Sequence, residues 1–260
     1  MVFYSGIIRY GIIETSDINS VYWVMLLVPF AFLLDNRVLK YVILFSSLIL
    51  IIASSKRGAT IAISLVFFVA ILLDTFKRKN FLRNIIIGIV LIFSFIFIFE
   101  KTLDKFNINV LDRFENTEVA EDARMYLYKD TWEKFNSKDL ILQVIGSGHR
   151  STSIDRGELS KTAHNDFLEV LYNYGILGLI LYLYFILQIL KRLKYLYKVG
   201  GKYFHAYLTT FIVFFVMSMI SHLIIYSTYF AYLVILWALV EAKVIERKKK
   251  TFRNVSYLKS

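Results

Sequence analysis

Long apolar segments separated by short polar turns run through most of the sequence. A membrane helix needs about 20 mostly apolar residues, within a range of about 17–25. Seven segments approach this length, and the shorter ones are expected to reach the membrane surface by snorkelling or by local thinning of the bilayer. The predicted spans are 19–34, 39–54, 58–73, 84–99, 167–190 and two spans within 206–242, which are separated by a break near 221–227.

One polar segment, residues 100–163, interrupts this pattern. The sequence therefore predicts an all-α, polytopic transmembrane bundle in three parts: four spans in residues 1–99, a large loop in residues 100–163, and three spans with a basic tail in residues 164–260. Within the loop, apolar and charged residues alternate with helical spacing over 120–136, which favours an amphipathic helix. A loop of about 60 residues with its own helix usually has a function.

The composition supports a membrane protein. Apolar residues make up 57% of the chain, against about 45–50% in soluble domains, which argues against a soluble enzyme and against disorder. Cysteine is absent and there are only four scattered histidines, so the sequence predicts neither a disulfide framework nor a metal site. The net charge of +11 lies between apolar segments rather than in one cluster, so no nucleic-acid partner is predicted.

Lysines and arginines predict the orientation, because they accumulate on the cytoplasmic side of membrane proteins. With the 100–163 loop outside, 18 basic residues lie on the cytoplasmic side. Only Arg9, Lys56 and Arg57 then lie in short external segments. The N-terminus is also external in this orientation, so we expect the chain to correspond to the later part of a longer protein.

Arg57 and the adjacent Lys56 lie between two predicted spans on the external side, against the general charge trend. A guanidinium group binds a phosphate through two hydrogen bonds and keeps its charge, so Arg57 is a candidate anion-binding residue. The alternative is a solvated turn. Arg9, which precedes the first span, is a weaker candidate, since a lone arginine at a membrane edge is usually an interface anchor.

His164 and Asn165 lie where the loop ends and the fifth span begins. Histidine can act as a general base near neutral pH, and the alternative is a structural interfacial side chain. Asn165 or Asp166 can cap the helix. Glu169 lies about one turn into the span, where a carboxylate must face the bundle interior or an aqueous cleft.

These residues belong to three separated elements that form one pattern. The elements are Arg9-Tyr10-Gly11 with Asp17-Ile18-Asn19; Ser55-Lys56-Arg57-Gly58-Ala59; and the loop with Arg124, Gly146-Ser147-Gly148, Ala163-His164-Asn165-Asp166-Phe167-Leu168-Glu169 and Gly175-Ile176-Leu177-Gly178. In this pattern the chain resembles the bacterial O-antigen ligase and polysaccharide polymerase family of membrane glycosyltransferases. That family usually has ten to twelve spans with about three after the large loop, so the chain is expected to lack N-terminal spans. Lys56 departs from the family, which more often has serine before the arginine.

The resemblance implies metal-independent glycosyl transfer, without a cofactor, at the external (periplasmic) face of a bacterial inner membrane. An acceptor hydroxyl would attack the anomeric carbon of a glycan on an undecaprenyl-diphosphate carrier, and the lipid diphosphate would leave. For a polymerase of O-antigen or capsule repeat units the acceptor is a second lipid-linked glycan, and for a ligase it is the lipid A core; a chain-length regulator is a further implied partner. The implied residues are His164 and Glu169 for catalysis, and Arg57, Arg124, Arg9 and Asn165 for substrate binding.

Three alternatives stay open at this stage. The sequence does not separate polymerase from ligase, because the difference lies in the acceptor. A transporter would have repeated halves, or charged and broken helices at the bilayer midplane; the sequence shows no internal repeat and no mid-span charge apart from Glu169. An inactive fragment or a structural membrane partner is the third reading.

Overall fold

The computed structural model describes residues 20–53, 57–75, 117–155, 162–221, 223–224 and 227–257. Over these ranges all regular secondary structure is helical, which confirms the all-α prediction. The predicted fourth span, 84–99, and Arg9 lie outside the described residues. The helices are α1 (Ser20–Leu27, continued by a 3₁₀ segment Val28–Leu33), α2 (Arg37–Ala53), α3 (Arg57–Thr75), α4 (Thr117–Asn136), α5 (Leu140–Ile145), α6 (Ser151–Ile154), α7 (Asp166–Val199), α8 (Gly201–Ile220) and α9 (Ser227–Tyr257).

Three helices of the described chain are long and apolar enough to cross a membrane: Asp166–Lys198, Gly201–Ile220 and Ser227–Lys249. They coincide with the last three predicted spans. Two shorter apolar stretches, Tyr22–Leu33 and Ala59–Ala70, fall in the first and third predicted spans. The total of seven spans stays a prediction, whereas the predicted loop helix is confirmed as α4, which begins three residues earlier than expected.

Helix α8 lies at the centre of the bundle and packs against α1, α3, α7 and α9. Its Phe214 is fully buried and contacts the rings of Phe185 and Trp237 at centroid distances of 6.0 and 5.6 Å, both edge to face. This geometry is favourable because the positive edge of one ring meets the negative face of the other. On the α3 side, the buried residues Ala59 and Ala62 are small enough for a close helix approach.

Polar contacts define the two ends of this bundle. Lys202, at the start of α8, forms an ion pair with Asp35 in the turn after α1, with 2.7 Å between Nζ and Oδ1. At the other end of α8, the carbonyl of Met219 accepts a hydrogen bond from Asn165, just before α7. Because 17 helical residues separate Lys202 from Met219, the two ends lie about 26 Å apart. This agrees with the assignment of these turns to opposite sides of a membrane.

Helix α7 consists of two helical segments that meet at Gly175, whose φ of 68° and ψ of −168° are not helical. The C-terminal end of α5 packs directly against this kink: a Cβ on Gly175 would lie 2.3 Å from the carbonyl oxygen of Val144. A Cβ on Gly146 would lie 2.2 Å from the carbonyl oxygen of Asn173. The same Asn173 oxygen accepts a hydrogen bond of 2.8 Å from the Gly148 N–H. The loop therefore folds back onto α7 through backbone contacts that only glycine permits.

Replacing Gly175 with alanine is expected to destabilise the protein strongly. A matched control is available, because Gly200 has nearly the same backbone conformation (φ 67°, ψ −174°) but no atom within 4 Å of an added Cβ. Gly200→Ala should show the conformational strain alone, about 1–3 kcal/mol, whereas Gly175→Ala adds a backbone clash. Thermal unfolding in detergent measures both variants. Equal losses of stability would mean that the close contact with Val144 does not form.

Candidate functional site

Asn165 fixes the start of α7 and is the N-cap of this helix. Its Oδ1 accepts hydrogen bonds from the backbone N–H groups of Phe167 (3.0 Å) and Leu168 (3.1 Å). Its Nδ2 donates to the carbonyl of Met219 at 3.0 Å. One side chain thus satisfies the free N–H groups at the helix start and joins that start to the end of α8. Of the two residues predicted as possible caps, Asn165 has this role.

His164, immediately before the cap, has a left-handed backbone conformation with φ of 50°. This conformation is uncommon outside glycine and persists where surrounding contacts enforce it, often at functional sites. The N–H of His164 lies 3.4 Å from Oγ1 of Thr162, and its carbonyl accepts a hydrogen bond of 3.4 Å from the hydroxyl of Tyr128 on α4. The side chain is half-buried. The turn therefore holds His164 between the loop helix and the bundle.

Glu169 is 1% exposed and faces the interior, as the sequence predicts. Its Oε1 accepts a hydrogen bond from the backbone N–H of Ala163. Its Oε2 accepts from Oγ1 of Thr152 at 2.6 Å and from Nδ2 of Asn173 at 3.2 Å. Both carboxylate oxygens are thus occupied by protein donors, one of which belongs to the residue before His164. This geometry favours the role of orienting His164 over direct contact with a substrate.

Asn173 extends this network to α6. Its Oδ1 accepts hydrogen bonds from Oγ of Ser151 at 2.8 Å and from the backbone N–H of Thr152 at 3.2 Å. Sequence reasoning missed Thr152 and Asn173. The spacing of Glu169 and Asn173 by four residues, which places both on one helix face, was the available signal for Asn173. No comparable local signal marks Thr152, which is 17 residues from its partner.

Asp166, the first residue of α7, is a second buried carboxylate beside His164. Its Oδ1 accepts a hydrogen bond from the backbone N–H of Ile224 at 3.2 Å, which joins the break between α8 and α9 to the start of α7. Its Oδ2 has no hydrogen-bond partner among the described residues. Among all the residues that the structure describes, no three histidine, aspartate or glutamate side chains are grouped to hold a metal ion.

Of the three arginines predicted to bind an anion, the described residues include the side chain of Arg124 but not those of Arg57 and Arg9. Arg124 lies on α4 four residues before Tyr128, so the two share a helix face and are separated by about 6 Å along the axis. Because the hydroxyl of Tyr128 reaches the carbonyl of His164, this face of α4 is turned toward the His164 turn. Arg57 is the first residue of α3, but its side chain, like the whole of Arg9, lies outside the described residues.

A second set of contacts holds the loop against the first turns of α7. Nζ of Lys138 donates to the carbonyl of Tyr172 at 3.2 Å and lies 3.0 Å from the centroid of the Tyr172 ring. The Tyr172 hydroxyl donates to Oδ2 of Asp155 at 2.6 Å. Partial burial lowers the pKa of Lys138 to about 8, although the nearby Asp155 carboxylate raises it. The turn after α4 and the end of α6 are therefore both attached to Tyr172.

Glu169→Gln is expected to destabilise the protein by about 1–3 kcal/mol. The glutamine NH₂ group would replace one accepting carboxylate oxygen, and it would then face a protein donor with which it cannot form a hydrogen bond. Glu133→Gln is the control, since Glu133 is an exposed residue of α4 whose partner, Lys129, lies 3.8 Å away; such a surface pair contributes little. Both variants are compared by thermal unfolding in detergent. A Glu169→Gln protein as stable as Glu133→Gln would contradict the three hydrogen bonds.

Comparison with known proteins identifies the family. A family model described as O-antigen ligase matches residues 42–183, which is more than half of the chain. The matched range includes Arg57, Arg124, the His164 turn and the Glu169 network. No curated protein and no solved structure shows a significant match. With its helices of membrane-spanning length and this match, the chain belongs to the O-antigen ligase family of membrane proteins, which points to a role in the assembly of surface polysaccharide.

Proposed function

We propose that this chain carries the site of a polysaccharide polymerase that transfers glycan from an undecaprenyl-diphosphate carrier to the hydroxyl of an acceptor sugar. The observation that carries the proposal is the His164 turn. The backbone of His164 is left-handed, and the N–H of the preceding residue, Ala163, donates to the buried Glu169. The carbonyl of His164 accepts a hydrogen bond from Tyr128, on the loop helix that carries Arg124. This arrangement supplies a base and a cation at one end of a membrane bundle.

The proposed reaction uses His164 as a general base. The imidazole accepts the proton of the acceptor hydroxyl while the hydroxyl oxygen forms a bond to the anomeric carbon. The bond between that carbon and the diphosphate oxygen breaks, and undecaprenyl diphosphate leaves with the electron pair. The proton passes from the imidazolium to solvent. General-base assistance of this kind contributes about 10²–10⁴-fold to the rate.

Arginines are proposed to bind the leaving diphosphate. As the glycosidic bond breaks, negative charge develops on the phosphate oxygen, and fixed cations stabilise it. The position of Arg124 on the helix face of Tyr128 supports its part in this. Arg57 and Arg9 are included on the sequence pattern. The side chain of Asn165 caps α7 and contacts Met219, so its main proposed contribution is to hold the turn. Any contact with substrate is proposed to use the second N–H of its Nδ2 group.

Glu169 is proposed as a positioning residue. Reacting groups must approach within about 3 Å, and a displacement of 1 Å can cost about 10²-fold in rate. The carboxylate binds the N–H of Ala163 and thereby fixes the chain one residue before His164. The geometry of the base thus depends on a side chain that does not itself meet the substrate.

The proposed location is a bacterial inner membrane with the site on the external face. The His164 turn lies at the end of α8 opposite the Asp35–Lys202 pair, and the basic tail of residues 243–259 is expected to be cytoplasmic. A ligase that transfers glycan to the lipid A core is the alternative, and it is compatible with the description of the matched family. The product distinguishes them: a longer carrier-linked glycan for the polymerase, glycan on lipid A for the ligase.

His164→Ala is expected to lower turnover by about 10²–10⁴-fold while donor binding is kept. His149→Ala is the control, because His149 is an exposed histidine of the same loop that contacts the hydroxyl of Tyr174. Transfer from a lipid-linked oligosaccharide is measured in proteoliposomes that contain each variant, normalised to folded protein. A purely structural histidine would reduce the amount of folded protein and leave the normalised activity unchanged.

Arg124→Lys and Arg57→Lys are each expected to lower transfer by about 10–100-fold, because lysine keeps the charge but loses the two-pronged hydrogen bonding of the guanidinium group. Arg150→Lys, at an exposed arginine of the same loop, should remain close to the unchanged protein. The same proteoliposome assay is used over a range of donor concentrations. Normal transfer by both variants would remove these arginines from diphosphate binding.

A further inference from the structure

Helix α5 (Leu140–Ile145) has its polar and apolar sides reversed relative to a helix on a water-facing surface. None of its residues is buried, and exposure of its apolar side chains ranges from 38% for Leu142 to 77% for Leu140. The polar residue of the helix, Gln143, is the one turned to the protein: its Nε2 donates to the carbonyls of Asn136 (3.1 Å) and Lys138 (2.9 Å). A polar contact thus anchors α5 while its apolar side chains point outward.

The exposed side of α5 continues into the outer surface of α7. The chain at the end of α5 packs against the kink at Gly175, and α7 contains a segment that is long and apolar enough to cross a membrane. Between the kink and Lys191, the exposed large apolar side chains of α7 are Ile176, Leu177, Ile180, Leu181, Leu183, Tyr184, Leu187 and Leu190. The apolar surface of α5 is therefore continuous with a surface that, in a membrane span, faces lipid.

The length of this apolar surface indicates where the membrane boundary lies. From Gly175 to Lys191, the first basic residue of α7, there are 16 residues, or about 24 Å of helix. This is close to the hydrocarbon thickness of about 30 Å, and the difference is within what flanking side chains and local thinning accommodate. The buried polar residues Asp166, Glu169 and Asn173 all precede the kink. Gly175 thus lies near the boundary, with α5 beside it.

We propose that α5 inserts its apolar side chains into the acyl-chain region of the leaflet next to the site, so that the loop is anchored to the bilayer surface. A contiguous exposed apolar patch marks an interaction site, and burial of apolar side chains at the interface anchors short helices. The anchor holds the His164 turn, nine to eleven residues before Gly175, within about 17 Å of the boundary. This height suits a diphosphate at the membrane surface; that last point rests on the proposed function, whereas the insertion does not.

Single cysteines test the insertion, since the chain contains none. Ile141→Cys places a spin label on α5, and Lys129→Cys places one on the outer side of α4, where the side chain is 77% exposed. The full chain is reconstituted in phospholipid vesicles. The collisions of each label are then compared for two reagents: oxygen, which concentrates in lipid, and a water-soluble nickel chelate. We expect the ratio of oxygen to nickel accessibility to be several-fold higher at residue 141 than at residue 129.

Two results would overturn the proposal. Nickel accessibility at residue 141 as high as at residue 129 would mean that α5 faces water. Low accessibility to both reagents would mean that protein, such as a second copy of the chain, covers α5. If Ile141→Cys fails to fold, Leu140→Cys gives the same measurement on the most exposed residue of α5. A high ratio in a protein without transfer activity would leave the insertion standing and count against the proposed function alone.

Discussion

A carboxylate taken out of water must be surrounded by hydrogen-bond donors, because the uncompensated burial of its charge costs several kcal/mol. At Glu169 the donors come from separate parts of the chain: Ala163 at the end of the loop, Thr152 in α6, and Asn173 one turn further along α7. Asn173 lies on the same helix as Glu169, whereas Thr152 and Ala163 reach the carboxylate only when the loop closes on that helix. The need to satisfy Glu169 therefore couples the local fold of the loop to the geometry of the His164 turn.

The kink in α7 makes this closure sterically feasible. In an unbroken helix the carbonyl of Asn173 would accept a hydrogen bond from four residues further on, but here it accepts one from Gly148. The break at Gly175 thus exposes backbone groups that the loop then satisfies. Gly146 and Gly175 bring the two backbones closer than any side chain would allow. Helix α7 consequently has two parts. The part before the kink carries the buried polar residues of the site, and the part after the kink is apolar and suited to crossing a membrane.

Much of this architecture could be predicted from the sequence because its signals are local. Apolar length predicted the helices, the polar residues before Phe167 predicted an N-cap, and the depth of Glu169 predicted that it faces inward. The contact of Glu169 with Thr152 could not be predicted, because it forms only after the loop folds back across 17 residues. The outward orientation of α5 could not be predicted either, since the pattern of a six-residue apolar segment does not show which surface it faces. The convergence of Arg57 and Arg9 on the site stays a prediction for a related reason: it depends on contacts between distant segments.

The amine of Lys138 carries a consequence for proton binding. Its pKa is lowered to about 8 in the folded protein, against 10.5 for an ordinary lysine, mainly because it is partly desolvated over Tyr172. Between these two values the unfolded chain holds a proton that the folded chain has lost, so folding releases a proton and becomes more favourable as the pH rises from about 8 to 10.5. Below pH 8 both states are protonated, and the desolvation of the charged amine opposes folding. The contact of Lys138 with Tyr172 thus links the attachment of the loop to the acidity of the surrounding medium.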